Sequence, residues 1–287
     1  MTTPLVLLGC GYVGSAIARA ALAEGRPVRA CRRSTGKLAA LGELGAQVKY
    51  LDASQPKQLT GVLASAHGGM AIYGISNVGG PPGHIVRSAL QAAYGGGIST
   101  FIYLSSSGLY GDTPDDDTWI DEDTPVVHGD PTMAPVISDE RELENCTYDR
   151  VRTIALRLAP VYGPGKGVRE RLKKGDYRLL DDGEHAISRI HIDDLVRIVF
   201  AAEQKAPPKS TYLVADDEPT TQRAYATWLC NRMGLPLPAA RAIFEPGASK
   251  VAFRNRKIRN AKVKRELELE LKYPTFREGE AAIEAAA

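Results

Sequence analysis

Three glycines near the start of the sequence, Gly9, Gly11 and Gly14, have the spacing of a phosphate-binding turn. They follow a short apolar run at residues 4–8 and precede residues 15–23, where apolar side chains recur at helical spacing. In such a strand, turn and helix, glycine lets a pyrophosphate approach the backbone, and the helix N-terminus offers free N–H groups. The pattern predicts dinucleotide binding, with an ordinary strand-to-helix turn as the alternative. The predicted contact residues are Gly9, Gly11, Tyr12, Val13 and Gly14.

Two arginines, Arg32 and Arg33, follow the second predicted strand at residues 27–31. They lie where dinucleotide-binding units carry the side chain that contacts the adenosine ribose. A carboxylate at this place accepts the 2′-hydroxyl of NAD, whereas a guanidinium matches the 2′-phosphate of NADP. The sequence therefore favours NADP(H) as cofactor over NAD(H), which stays possible. Two solvated surface arginines are the alternative interpretation.

Helix and strand patterns alternate along the chain beyond this unit. Strands are predicted at residues 46–51, 69–74 and 100–104, and helices at 37–44, 55–66 and 85–94. This alternation predicts an α/β fold with a doubly wound parallel sheet. Because ligands of such sheets bind beyond the carboxyl ends of the strands, Asp52 and Gly74 are expected to face the cofactor. For Asp52, an ordinary loop cap is an equal alternative.

The composition limits the classes of partner. The 287 residues carry 36 basic and 34 acidic side chains and a net charge of +2, which predicts no nucleic-acid or membrane partner. The four cysteines have no metal-ligand spacing, so we expect no metal site and no disulfide framework. Their scatter favours a reducing, cytoplasmic location. No signal peptide and no bilayer-spanning run are expected.

Later motifs make the chain resemble the extended short-chain dehydrogenase/reductase superfamily, in its branch of NAD-dependent sugar-nucleotide epimerases and dehydratases. The motifs are SSSGLYGD at residues 105–112, LRLAPVYGPGKG at 156–167, RIHIDDLVRIV at 189–199 and YLVADDEPTT at 212–221. A basic tail from residue 255 completes the likeness, and its last residues, 280–287, are expected to fray. The resemblance implies a dinucleotide-binding Rossmann domain at 1–158 and 189–215. It also implies a smaller C-terminal substrate-binding lobe at 160–188 and 216–287.

The resemblance also implies roles for side chains. In such enzymes a serine orients the substrate oxygen, a tyrosine exchanges its proton, and a lysine four residues later lowers the tyrosine pKa. The serine falls at Ser106, with Ser105 beside the cofactor. The implied substrate contacts are Ser107, Tyr162, Arg169 and Arg189.

The tyrosine and lysine are absent. The family segment P-Y-x-x-S-K-x-x-x-E aligns with PVISDERELE at residues 135–144, which places Val136 at the tyrosine position and Glu140 at the lysine position. This loss resembles an atypical extended group called YeeZ-like. A replacement proton could come from a bound water, the substrate or a nearby side chain. The candidate side chains are Tyr110, His128, Asp139 and Glu140.

Three functions fit these observations. The first is an NADP(H)-dependent oxidoreductase or epimerase acting on a small carbonyl, hydroxyl or sugar-nucleotide-like substrate, with Ser106 and Tyr110 as catalytic candidates. The second is a non-catalytic NADPH-binding sensor or regulator. The third is a non-redox isomerase, cyclase or dehydratase that uses the same pocket. The resemblance further implies a homodimer as a candidate assembly.

Overall fold

The computed structural model describes residues 3–75, 81–111, 118–241 and 255–286. The chain forms two compact units. The first unit comprises Met1–Ser106, His128–Arg157 and Val196–Tyr212, and the second comprises Ser107–Val127, Leu158–Leu195 and Leu213–Ala287. The domain boundaries inferred from the sequence stay a prediction.

The structure contains both regular helices and short strands. The strands are β1 (Leu5–Leu8), β2 (Val28–Arg32), β3 (Gln47–Tyr50), β4 (Met70–Tyr73), β5 (Thr100–Ser106), β6 (Trp119–Ile120), β7 (Arg152–Leu158), β8 (Val161–Tyr162), β9 (Leu179–Leu180), β10 (Ala186–Ile187), β11 (Ile190–His191), β12 (Ser210–Val214), β13 (Thr220–Thr221), β14 (Ala240–Arg241) and β15 (Lys257–Ile258). The α-helices are α1 (Tyr12–Ala23), α2 (Ala39–Glu43), α3 (Pro56–Leu63), α4 (His84–Gly96), α5 (Ala134–Glu144), α6 (Val168–Lys174), α7 (Ile192–Lys205), α8 (Gln222–Met233), α9 (Ala261–Glu266) and α10 (Phe276–Ala285). Short 3-10 helices span Thr35–Leu38 and Ser107–Tyr110.

Seven strands form one sheet in the order β12-β7-β5-β4-β1-β2-β3. Strand β1 pairs in parallel with β2 on one side and β4 on the other, so that Leu8 lies opposite both Cys31 and Tyr73. The chain adds β2 and β3 on one side of β1 and then returns to add β4 and β5 on the other. This reversal opens a crevice at the carboxyl ends of β1 and β4, which is the usual ligand position in such sheets. The predicted α/β class with a doubly wound parallel sheet is confirmed.

The central strands of the sheet are apolar throughout. All residues of β1 and β4 are buried, as expected for parallel strands that are covered on both faces. By contrast, β3 is mostly exposed and lies at the edge of the sheet order. A core cluster that includes Phe101 and Tyr103 of β5 fills the space beside the sheet, and Val136 of α5 packs against it.

The second unit has its own apolar core and several two-stranded sheets. Its core includes Tyr162, Tyr225 and Phe276, with Phe276 at the start of α10. Helix α10 begins with a capping box between Thr275 and Glu278. Fraying was predicted for residues 280–287, but this was wrong for Glu280, which is only 1% exposed because α10 packs into this core.

Candidate cofactor and active site

A cleft of about 270 Å³ lies in the first unit at the carboxyl end of β1. Its lining residues come from the glycine turn and from the segments that follow β2, β3 and β4. They are Gly9, Cys10, Gly11, Arg32, Arg33, Ser34, Leu51, Ala53, Gly74 and Ile75. Five of the residues that the sequence predicts to contact the cofactor line this cleft, namely Gly9, Gly11, Arg32, Arg33 and Gly74.

Glycine is needed at Gly9 and at Gly11 for different structural reasons. Gly9 has a φ of +88°, and a Cβ on it would lie 2.6 Å from Cγ1 of Ile75 and 2.8 Å from the carbonyl oxygen of Gly74. A Cβ on Gly11 would meet nothing within 4 Å, although Gly11 lines the cleft. Gly9 is therefore required by the protein itself, whereas the open space at Gly11 fits the close approach of a ligand.

The glycine turn leads directly into α1, which begins at Tyr12. Gly11 occupies the N-cap position of this helix and has no side chain with which to cap it. Tyr12 and Val13 are half-buried in the first turn of α1. A twelve-residue helix with such an N-terminus beside a cleft provides both the donors and the partial positive charge that a pyrophosphate needs.

The two arginines extend the cleft with positive charge. Nη1 of Arg32 donates a hydrogen bond to the carbonyl oxygen of Cys10 at 3.2 Å, which holds this side chain against the glycine turn. Arg33 is exposed, and it lines the cleft beside Ser34. This end of the cleft can therefore accept a phosphate group in addition to the pyrophosphate.

Asp52 has the contacts of a loop cap. Its Oδ1 accepts hydrogen bonds from the backbone N–H of Ser54 at 3.1 Å and from Oγ of Ser54 at 2.7 Å. These bonds lower the pKa of Asp52. Its neighbours Leu51 and Ala53 line the cleft instead. A contact between Asp52 and the cofactor stays a prediction.

Glu140, at the family's lysine position, forms a buried cluster with Arg157 and Ser105. Nη2 of Arg157 donates to Oε2 of Glu140 at 2.7 Å, and Nε lies 3.1 Å from both carboxylate oxygens. Oγ of Ser105 donates to Oε1 at 2.5 Å. Glu140 and Arg157 are only 5% and 8% exposed. The cluster joins α5 to β5 and β7, and the hydroxyl proton of Ser105 is used in the hydrogen bond to the carboxylate.

Asp139 precedes Glu140 and has a different environment. Its Oδ2 accepts a hydrogen bond from Tyr103 at 2.9 Å. Burial raises the pKa of Asp139 to about 6, although the bond from Tyr103 acts in the opposite direction. Asp139 is thus a proton-donor candidate whose pKa is raised by its burial, and His128 is exposed.

The serine motif ends β5 and continues into the 3-10 helix of Ser107–Tyr110. Ser106 is half-buried at the end of β5. Tyr110 is buried, and its ring belongs to a core cluster of the second unit with Ile120 and Ile258. Ser107 is also buried, and its Oγ accepts a hydrogen bond from Nη1 of Arg256 at 3.4 Å.

Two predicted substrate residues make structural contacts in the second unit. Nε of Arg169 donates to Oε2 of Glu280 at 2.6 Å, and Glu280 also accepts a hydrogen bond from Tyr225. Nη1 of Arg189 donates to the carbonyl oxygen of Ile187 at 2.9 Å, and its guanidinium lies 4.1 Å from the ring centroid of Tyr225. These contacts explain the burial of both arginines without a ligand, so their substrate roles stay predictions.

Tyr162, also predicted to contact substrate, points its hydroxyl into the same core. Within the described part of the chain, this hydroxyl has no hydrogen-bond partner, and neither has the buried carboxylate of Asp216. Burial raises the pKa of Asp216 to about 8, while the charge of Arg189 acts to lower it. Charge on Asp216 in turn helps to raise the pKa of Tyr162, after the larger effect of burial.

Residues 5–215 match the model of the NAD dependent epimerase/dehydratase family. The chain belongs to this family. It is 25% identical over 261 residues to 2-alkyl-3-oxoalkanoate reductase of Stenotrophomonas maltophilia (strain K279a), a match that covers 81% of this chain and 76% of that protein. It is also 25% identical over 194 residues to Protein YeeZ of Escherichia coli (strain K12), covering 66% of this chain and 64% of YeeZ.

A solved structure shares the fold over the whole length. The chain superposes on a functionally unknown conserved protein from Silicibacter pomeroyi DSS with a TM-score of 0.85 and 27% identity, covering 100% of this chain and 99% of that one. These findings confirm the resemblance to the extended short-chain dehydrogenase/reductase superfamily. The protein is thus a member of an NAD-binding oxidoreductase and epimerase family.

The described residues contain neither a candidate metal site nor a membrane-spanning helix. In residues 3–75, 81–111, 118–241 and 255–286, no three His, Cys, Asp or Glu side chains group closely enough to hold a metal ion. No α-helix in those ranges is long and apolar enough to cross a membrane.

Sequence reasoning missed two residues of this region. Arg157 lies in the motif at residues 156–167 that resembles the family. Its ion pair with Glu140 joins β7 to α5, which only the tertiary structure brings together. Arg256 lies in a run of basic residues typical of a solvated tail, yet it is buried against Ser107. Neither position carries a local signal, apart from the placement of Arg157 between two leucines of β7, Leu156 and Leu158.

Proposed function

We propose that this family member is an NADP(H)-dependent oxidoreductase that acts on a small carbonyl substrate. The observation that carries the proposal is the pair Arg32 and Arg33 at one end of the cleft that the glycine turn opens. A guanidinium binds a 2′-phosphate through paired charge-assisted hydrogen bonds. The carboxylate that usually binds NAD at this place would repel that phosphate. The name of the Stenotrophomonas relative suggests a 3-oxoalkanoate as the first substrate class to test.

The residues present fit a dinucleotide. Gly11 leaves open space where a Cβ would otherwise project, and the first turn of α1 has no capping side chain. The turn would hold the pyrophosphate, and Arg32 and Arg33 would hold the 2′-phosphate. When bound, NADPH supplies a hydride to a carbonyl carbon. Ser106 is proposed to orient the carbonyl oxygen and Tyr110 to give it a proton.

The contacts of Glu140 with Arg157 and Ser105 argue against a proton relay at the family's two positions, 136 and 140. The family lysine would place a positive charge beside a phenol, but Glu140 forms an ion pair with Arg157 and accepts a hydrogen bond from Oγ of Ser105. Val136 has no proton to exchange. Neither relay position can supply the proton, so the proposed donor is Tyr110, with Asp139, whose pKa burial raises to about 6, as the other candidate. The turnover rests mainly on the positioning of cofactor and substrate.

The same cluster favours a second candidate function, an NADPH-binding protein without catalysis. Both positions of the usual proton relay are occupied by side chains with structural contacts, Val136 in the core and Glu140 in the ion pair. Stopped-flow absorbance of the NADPH complex, mixed with 3-oxo acids and other carbonyl compounds, separates the two functions. Oxidation of NADPH by any of these compounds supports the reductase, and tight binding with no oxidation supports the sensor.

The double variant Arg32→Ala/Arg33→Ala tests the cofactor assignment. Loss of charge-assisted bonds to a phosphate should raise the Kd of NADPH by about 10-fold to 100-fold and leave that of NADH within about twofold. Titration of cofactor fluorescence measures both constants. Arg19→Ala is the matched control, because Arg19 is exposed on α1 and does not line the cleft.

Two results would contradict the assignment. Equal weakening of NADPH and NADH would mean that the arginines act on a part common to both cofactors. If the unaltered protein binds neither dinucleotide, the glycine turn is an ordinary turn and the proposed function is wrong.

A further inference from the structure

The corner of the cofactor cleft just beyond β2 offers two polar side chains to a ligand. Arg33 and Ser34 both line the cleft, and both are exposed. Among the described residues, neither the guanidinium of Arg33 nor the hydroxyl of Ser34 has a hydrogen-bond partner. A molecule that enters the cleft therefore meets donors that the protein itself does not use.

The backbone holds these two residues at the corner. Strand β2 ends at Arg32, and Ser34 occupies the N-cap position of the 3-10 helix Thr35–Leu38. The carbonyl oxygen of Ser34 accepts the N–H of Lys37 at 3.2 Å, which fixes the start of this helix. A serine at an N-cap usually accepts a backbone N–H through its side chain, but within the described chain Ser34 makes no such bond. Its hydroxyl is available for another partner.

Arg32, the preceding arginine, has a different environment. Its Nη1 donates to the carbonyl oxygen of Cys10 at 3.2 Å, and its side chain is half-buried. Arg32 therefore adds positive charge to the corner from a fixed position, whereas Arg33 and Ser34 supply the donors that an arriving anion can take.

One carboxylate lies within electrostatic reach of the corner. Oδ1 of Asp52 accepts both the N–H and the hydroxyl of Ser54, and these bonds account for most of the lowering of the Asp52 pKa. The charge of Arg33 makes a smaller contribution in the same direction. Two guanidinium groups thus face one carboxylate that is already bonded elsewhere, and the corner keeps a net positive charge.

We propose that Arg33 and Ser34, with the charge of Arg32, form an oxyanion subsite that binds phosphate on its own, so that inorganic phosphate competes with NADPH but not with NADH. This inference rests on the proposed function, in which the same corner takes the 2′-phosphate. A guanidinium fork and a hydroxyl match the oxygens of a tetrahedral phosphate, and they do so without the rest of the dinucleotide. The phosphate concentration around the protein then regulates its binding of NADPH.

The test measures the Kd of NADPH and of NADH by cofactor fluorescence in inorganic phosphate and in sodium chloride. The two salts are compared at equal ionic strength, because salt alone screens the arginines. Phosphate at about 20 mM should raise the Kd of NADPH about threefold or more relative to chloride, as expected for a phosphate Kd of about 10 mM or less. The Kd of NADH should be the same in both salts.

Variants of the corner assign the effect to its residues. Arg33→Ala and Ser34→Ala should each remove most of the phosphate effect on NADPH and leave the Kd of NADH unchanged. Ser34→Thr keeps the hydroxyl and should retain the effect. Lys37→Ala is the matched control, because it removes an exposed positive charge from the same segment at a position that does not line the cleft. This variant should respond to phosphate as the unaltered protein does.

Three results would overturn the inference. Equal weakening of NADPH and NADH by phosphate would place the ion at the glycine turn, which both cofactors share. Equal Kd values of NADPH in phosphate and chloride would mean that the corner does not hold a free ion. A phosphate effect that persists in both Arg33→Ala and Ser34→Ala would assign the ion to other residues.

Phosphorus NMR of inorganic phosphate, recorded without any dinucleotide, separates this inference from the proposed function. The unaltered protein should broaden the phosphate resonance, and Arg33→Ala should not. Such broadening in a protein that binds no dinucleotide would support the subsite and refute the proposed function. Tight NADPH binding with no broadening would refute the subsite and leave the proposed function standing.

Discussion

Replacing Glu140 with glutamine should destabilise the protein far more than the same change two residues later in the same helix. Glu140→Gln keeps the size of the side chain but removes the charge that faces Arg157, which is 8% exposed. Loss of one partner from a buried ion pair costs about 3–5 kcal/mol. Glutamine retains one oxygen that can accept the Ser105 hydrogen bond, so we expect a loss near the lower end, about 3 kcal/mol.

Glu142 on the same helix is the matched control. It forms a bidentate ion pair with Arg87, with distances of 2.6 Å and 2.8 Å that resemble those of the buried pair. The Arg87 side chain, however, is 66% exposed. Water screens such a pair, so its contribution to the free energy of unfolding is small. Burial therefore accounts for most of the expected difference between Glu140→Gln and Glu142→Gln.

Equilibrium unfolding in urea, followed by far-ultraviolet circular dichroism, measures the free energy of unfolding of both variants. The double variant Glu140→Leu/Arg157→Met should recover most of the loss, because apolar residues of similar volume can replace a buried ion pair at little cost. Equal losses in Glu140→Gln and Glu142→Gln would refute the reasoning. A double variant no more stable than Glu140→Gln would show that Ser105 or Arg157 makes a polar contact that apolar side chains do not replace.

Two more predictions follow from the turn and from the core of the second unit. Gly11→Ala should keep the unfolding temperature and raise the Kd of NADPH about tenfold or more, because its Cβ enters open space on the cleft. Gly9→Ala should instead lower the unfolding temperature itself. If both variants change the unfolding temperature in calorimetry and the Kd in titration by equal amounts, this distinction is wrong. Asp216, whose folded pKa is raised to about 8 against an ordinary value near 4, should make the protein lose stability as the pH rises between those values, since the unfolded chain releases this proton first. Asp216→Asn should therefore raise the unfolding temperature at about pH 9 and change it little at about pH 4, and parallel pH profiles of variant and unaltered protein would contradict the assignment.

Local patterns in the sequence were sufficient for the elements that bind a cofactor. The glycine spacing and the apolar run before it identify β1 and α1, because a turn of this kind depends on residues that are neighbours in the chain. The cleft then unites Gly9 with Arg32 and Gly74, as expected from the rule that carboxyl ends of parallel strands meet at one edge. The alternation of helices and strands was also sufficient for the class of the fold.

Side-chain partnerships in the candidate site could not be predicted in the same way. The sequence placed Glu140 at the family's lysine position but gave no sign of its ion pair, since its partner Arg157 lies 17 residues away on another element. The contact between Arg256 and Ser107 spans 149 positions. Such partners are selected by packing, and a basic residue has the same local signature whether it ends in solvent or against a buried hydroxyl. Arg169 shows this clearly, because the resemblance implied a substrate contact for it, whereas its guanidinium pairs with Glu280.

The ion pair between Arg169 and Glu280 links positions 111 residues apart, on α6 and α10. Substitution of Arg169 alone leaves the buried carboxylate of Glu280 without this counterion, at a cost of several kcal/mol, whereas substitution of Glu280 leaves Arg169 with Glu284 at 3.6 Å. Natural variation at the two codons is therefore expected to be correlated, with single changes removed by selection and paired replacement by apolar residues tolerated. Two codons that are far apart in the gene should therefore change together during evolution.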